Sequence, residues 1–213
     1  MRHKQTKELM AYYRTLTERC AGDGAAEPPF PERIAVDPSE CRALLGDIFI
    51  LEMATEGATY RLAGTRLCAL LGGELRGLPF GTRFCDAEKR HAQLLAATCG
   101  RNGEGRFACL TGTDAIGREI VLETLLLPLN HQGESCARLL GLLVACRDAE
   151  TPIHEPVEQL RVRAVRTVPL PRRVVAAPAL ATNFPVASTP ASGSAAGRPA
   201  LRLVKGGRED ALR

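Results

Sequence analysis

Residues 118–129 read REIVLETLLLPL and residues 137–147 read ARLLGLLVACR. In an extended chain successive side chains point to opposite sides. Ile120, Leu122 and Leu126 therefore share one side of the first segment, and Val121, Leu125 and Leu127 share the other. The second segment is likewise apolar on both sides. A sheet built on such strands must be covered on both faces. This predicts a layered α+β domain rather than a sheet with one wet face. The link NHQGES between the two segments suits an antiparallel hairpin. So does the link with Asp114 and Gly117 that joins them to RFACLTGT (106–113).

Upstream, DIFILEMA (47–54) and ATYRLAG (58–64) are strand-like and separated by a Glu-Gly turn, a second hairpin. TRLCALLG (65–72) reads as a short helix stopped by Gly72 and Gly73. ELRGLPFGTRF (74–84) is an irregular connector. Asp86 suits the N-cap of a helix over 87–99, whose apolar face would hold His91, Leu94, Leu95 and Thr98. Pro38 suits the start of a short helix ending near Gly46. Residues 5–19 form an amphipathic pattern with Leu9, Met10, Tyr13 and Leu16 on one stripe. The central helices can cover one face of the sheet. This N-terminal helix, or a second subunit, must cover the other, so the stripe is expected to be a packing or dimer interface.

The chain has 213 residues, enough for one domain with extensions. Aromatics are 4% and Trp is absent, so an aliphatic core of Leu, Val, Ile and Ala is expected. No apolar run approaches the length of a membrane span. MRHKQTKELM is not followed by an apolar stretch of the secretory kind. The eight cysteines show no CxxC spacing or zinc pattern. Reduced thiols in a cytoplasm and no metal site are the expectation. Of 28 basic and 24 acidic residues, 18 and 19 fall within 1–149, leaving 10 and 5 beyond it. Residues 171–200 hold nine Ala and five Pro. The division expected is an N-terminal helical extension over 1–46, a core over 47–148, and a flexible basic tail over 149–213. Within that tail LRLVKGG (201–207) has the makings of a short strand.

The order strand, strand, helices, then three long antiparallel strands resembles that of PAS domains. YRLAGTRLCALLGGELRGLPF (60–80) is similar to the PAS stretch in which a strand leads to a short helix and two glycine-bounded turns, with Gly72, Glu74, Leu75 and Gly77 in the matching places. RLAGTR, PERIAVDPSECRALLGDIFILE (31–52) and GREIVLETLLLPL (117–129) resemble a bacterial subfamily of short stand-alone PAS proteins. The likeness spans roughly residues 8–147. It departs at Tyr13, where the subfamily often follows its first Tyr with Trp, and at Gly46, where it usually has Pro. The resemblance implies a five-stranded antiparallel sheet with flanking helices and an N-terminal helix. It also implies sensing or regulation rather than catalysis.

A ligand in such a domain would lie between the helix at 87–99 and the inner sheet face. His91, Leu95, Leu122 and Thr124 are the candidates to line it, Thr124 being the polar group on the Ile120, Leu122, Leu126 side. Which side is inner the sequence leaves open. The resemblance gives His91 a second reading, as a haem ligand, against the plainer one of a half-buried histidine. Cys68 and Cys85 flank the connector where flavin-type PAS sensors carry a reactive cysteine, but the Asn-Cys-Arg motif is absent. Glu119 and Glu123 lie on one strand face and are expected at the outer surface, paired with Arg118 or Arg138. Asp37, Ser39 and Glu40 form a helix-start cluster rather than a triad, and neither GxSxG nor a phosphate loop occurs. Arg161, Arg163, Arg166, Arg172 and Arg173 lack interleaved aromatics, so nucleic acid is not expected. The reading is a non-enzymatic regulatory module that binds another signalling protein, with a small molecule and a homodimer as further partners and no cofactor named. The alternatives are a nucleic-acid regulator using the tail and a small enzyme.

Overall fold

The computed structural model describes residues 1, 3–20, 30–101, 104–146 and 155–170. These lie in the compact unit Met1–Val174; the second unit, Val175–Arg213, falls outside the described residues, and with it the strand expected at 201–207. Helix α1 spans Lys4–Arg19, and a hairpin of β1 (Ile48–Ala54) and β2 (Gly57–Ala63) leads into α2 (Thr65–Leu70). Helix α3 (Lys89–Ala97) precedes β3 (Glu104–Asp114), β4 (Glu119–His131), β5 (Glu134–Ala145) and β6 (Val157–Pro169). All six strands form one antiparallel sheet in the order β2-β1-β5-β4-β3-β6.

The sheet has six strands where five were expected. The sixth, β6, falls in the stretch read as flexible tail. It pairs with β3 along its whole length, from Glu104 opposite Pro169 to Asp114 opposite Val157. Two irregularities in that register explain why the pattern was hidden. Glu158 and Arg163 are extra residues opposite β3, so the inward side chains Val157, Leu160 and Val162 are spaced three and two apart instead of strictly alternating. A strand with bulges loses the period-two signature by which strands are read.

β4 is buried from Leu122 to Asn130 without a break. Its two sides feed two separate cores. Leu122 and Leu126 join Phe49, Leu51, Leu139 and Leu143 beneath α2, α3 and the connector. Leu125, Leu127 and Leu129 join Ile48, Ile50, Leu140 and Leu142 beneath α1. Leu9, Met10, Tyr13 and Leu16 are each 6% exposed or less and belong to this second core. The chain thus covers its own outer sheet face, and a homodimer would have to use another surface. Tyr13 anchors the helix further, its hydroxyl donating to the Pro128 carbonyl at 2.7 Å.

The first core departs from the aliphatic expectation. Phe49, Tyr60, Phe80 and Phe84 pack in a chain of ring contacts with centroids 5.5–5.8 Å apart. Scarce aromatics are concentrated where the wide space between sheet and helices needs large side chains. Gly141 makes room for them, because a Cβ there would fall within the Phe49 ring. Two helix expectations also change. Asp86 does not cap α3; Asp86–Glu88 is a 3-10 turn and its carboxylate pairs with Lys89 at 2.7 Å. Residues 38–47 are consecutive turns rather than a helix, and the nearby 3-10 turn is Arg33–Ala35.

Candidate interaction site

The residues expected to line a ligand cavity divide between two environments. Leu95 and Leu122 meet in the helix-side core. Thr124 stands between Leu122 and Leu126 on the same side of β4 and is 2% exposed. Its Oγ1 has no hydrogen-bond partner among the described residues. His91 does not join them. The buried stripe of α3 is Ala92, Leu95 and Ala96, continued by Cys99, which turns His91 and Leu94 to solvent. The buried stripe lies about one position, ~100°, from the face expected for it, which leaves His91 exposed.

The carboxylate pair also separates. Glu119 is exposed and meets Arg163 at 3.3 Å. Glu123 is 3% exposed beneath the start of α1 and accepts from the His3 backbone N–H at 3.1 Å. The arginines assigned to them are engaged elsewhere, Arg118 with Asp114 at 2.7 Å and Arg138 with Glu52 at 2.5 Å. Cys41, Cys68, Cys85, Cys99, Cys109 and Cys136 are free thiols. Burial pushes Cys136 up to about 11 and raises Cys99 as well, so neither is an activated nucleophile.

Two surface grooves differ in how their charges are satisfied. The larger, about 620 Å³, lies where α2 approaches the start of β1. Asp47 at its base is 9% exposed and accepts from Arg66 Nε at 3.1 and 3.0 Å, from Arg66 Nη2 at 2.5 Å and from Gln5 Nε2 at 2.8 Å. The carboxylate at the base of that groove is thus satisfied from within, by Arg66 and Gln5.

The second groove, about 410 Å³, has a floor of Ile50 and Leu62 and a rim of Arg33, Arg61, Arg76, Arg138 and His131. Each rim residue arrives by a separate structural device. Asn130 is fully buried at the end of β4, where its Nδ2 donates to the Phe30 carbonyl at 2.5 Å and its backbone N–H to Pro31 at 2.9 Å. These bonds fix the strand-like entry that carries Arg33 over the sheet. On β2, Leu62 pairs with Ile50 but Tyr60 pairs with Leu51, leaving Arg61 as the extra residue of a bulge. Such a bulge re-aims side chains at a sheet edge. The connector runs along the outer edge of β2, with Gly77 N–H donating to the Tyr60 carbonyl at 2.8 Å and Tyr60 N–H to Leu78 at 2.9 Å. Arg76 is held beside the groove by that pairing.

Arg138 is committed to Glu52, and its guanidinium holds that carboxyl below the usual range. Arg33, Arg61 and Arg76 have no side-chain hydrogen bond or ion pair among the described residues. None of the three was singled out from the sequence. They are isolated arginines on a turn, a strand and a connector, and only the fold brings them together.

No helix among the described residues is long and apolar enough to cross a membrane. No curated protein matches the chain. Among solved structures, a variant of the RsLOV protein is similar at 14% identity, over 52% of this chain and 66% of that one, with a TM-score of 0.41. The LOV protein of Rhodobacter sphaeroides is similar at 12% identity, over 70% and 71%, with a TM-score of 0.39. A light-oxygen-voltage domain studied with a flavin analogue is similar at 17% identity, over 54% and 89%, with a TM-score of 0.38. A profile of PAS domains matches residues 1–144, which take in α1, the first four strands, β5 up to its last residue and all the elements between them. The chain belongs to the PAS domain family.

Proposed function

We propose that this PAS domain is a sensory or regulatory module whose output is docking on another signalling protein, with no catalytic step of its own. The observation that carries this reading is the second groove, where three guanidiniums stand over an apolar floor with no side-chain hydrogen bond or ion pair among the described residues. Charge left unneutralised at a shaped surface is what a partner of opposite sign recognises. The packed interior supports the same reading, since four aromatic rings occupy the space between sheet and helices. The six free thiols named above accord with work in a reducing cytoplasm.

A second reading, a small ligand held against β4, rests on the orphaned Thr124 hydroxyl. Native mass spectrometry of the freshly purified full chain, with affinity capture and partner identification alongside, separates the two. A bare subunit mass together with a stoichiometric protein partner is expected. An excess mass lost on denaturation, with no protein partner, would overturn the docking output in favour of the ligand.

A further inference from the structure

The geometry points to an acidic, amphipathic protein segment as the occupant of the arginine groove, with carboxylates on the rim and an aliphatic side chain on Leu62. This deepens the docking reading and rests on it. Three features select this chemistry. The first is charge: four arginines line the groove, and among the described residues Glu52 is the one carboxylate in an ion pair with any of them, bonded to Arg138 and felt more weakly by Arg61. Arginine presents a planar fork that carboxylates accept in two places at once.

The second feature is the floor. Leu62 is 44% exposed beside Arg61, although its cross-strand partner Ile50 is only 4% exposed. Ile34, next to Arg33 in the chain, is 90% exposed. Apolar surface in the middle of a cationic rim suits a segment that alternates acidic and aliphatic residues, and wastes its contacts on a purely ionic ligand.

The third feature separates a carboxylate partner from a phosphate ligand. Phosphate sites recruit backbone N–H groups at a helix N-terminus or a glycine nest. None of the lining residues begins an α-helix: Arg33 is in a 3-10 turn, Ile50, Arg61, Leu62, His131 and Arg138 are in strands, and Arg76 is in the connector. The donors are spread over four elements, which fits an extended occupant rather than a compact anion.

The test uses the full chain and short fluorescein-labelled peptides read by anisotropy. One peptide carries glutamates around a Leu-Leu pair; a second replaces that pair with serines; a third replaces glutamate with lysine. Short single-stranded DNA and inorganic pyrophosphate are the competitors. Arg61 and Arg76 are exposed and unpartnered among the described residues, so Arg61→Glu with Arg76→Glu should leave the thermal melt unchanged. That double variant is expected to weaken the acidic Leu-bearing peptide by about tenfold or more, with Leu62→Ser weakening it by a smaller factor. Arg90→Glu, exposed on α3, should have no effect. Binding should fall as salt rises. Equal binding of the serine peptide, equal loss in Arg90→Glu, or tighter binding of DNA or pyrophosphate would each overturn the assignment. A captured protein partner that the double variant retains overturns the groove while leaving the docking function standing. A peptide that binds in a chain with no protein partner leaves the groove standing and removes the docking function.

Discussion

Thr124 is a polar side chain closed into an apolar layer. Its β-strand neighbours, Ala108 and Leu143, are both members of the helix-side core, and the hydroxyl finds no acceptor there. An unsatisfied buried hydroxyl costs about 1–3 kcal/mol, while an apolar isostere removes the cost and keeps the shape. Thr124→Val is therefore expected to raise unfolding stability by about 1 kcal/mol in urea titration. A loss of stability on that substitution would mean that the hydroxyl has a partner in solution, and would strengthen the ligand reading. The residue was legible in the sequence as the one polar group on its strand face. Its lack of a partner was not, because that depends on what α3 and the neighbouring strands bring to within hydrogen-bond reach.

At the scale of elements, α1 and α3 show the two ways a helical stripe can turn out. In α1 the stripe Leu9, Met10, Tyr13 and Leu16 is the buried face, and its long apolar side chains define it without ambiguity. In α3 the buried face includes Ala92 and Ala96, small residues that carry little hydropathic weight, while Leu94 is 48% exposed. Alanine lets the helix approach the sheet closely, which a pattern based on large side chains does not register. The covering of the outer face by α1 in the same chain has a measurable consequence. Leu16→Asp would place a carboxylate within the second core, and a loss of more than about 3 kcal/mol is expected. The unfolding midpoint of the wild-type chain should not move with protein concentration, because no second copy is needed to bury the stripe. A midpoint that rises with concentration would show that α1 packs between subunits.

At the scale of the whole molecule, the family match ends at residue 144 but the sheet continues to Pro169. β6 closes the β3 edge of the sheet and delivers Val157 and Leu160, 0% and 1% exposed, to the helix-side core. It is also latched on its outer side, where Leu160 exchanges backbone bonds with Arg83 and Cys85 at 2.7 and 3.0 Å, and Val162 N–H donates to Glu88 at 2.6 Å. Fully burying a side chain of this size contributes about 1.5–3 kcal/mol. A chain ending at Cys146 is accordingly expected to lose about 3 kcal/mol or more in urea unfolding. A chain ending at Val174, which retains β6, should unfold like the full protein. Equal stability of the shorter chain would show that β6 is an appendage to a core complete without it.

The sequence by itself determined the layered architecture. REIVLETLLLPL and ARLLGLLVACR are apolar on both sides, and no arrangement satisfies them except a sheet covered on both faces. It determined the amphipathic face of α1, the hairpin order and the PAS likeness, since each rests on local periodicity or on short stretches of neighbouring residues. Tertiary structure alone decided the rest. It recruited β6, whose bulges erase the alternation that marks a strand. It turned His91 outward by packing α3 on alanines. It gathered Arg33, Arg61, Arg76 and Arg138 from four elements around Leu62. Periodicity is a property of neighbours in the chain, whereas a groove is made by residues that meet only when the sheet has formed.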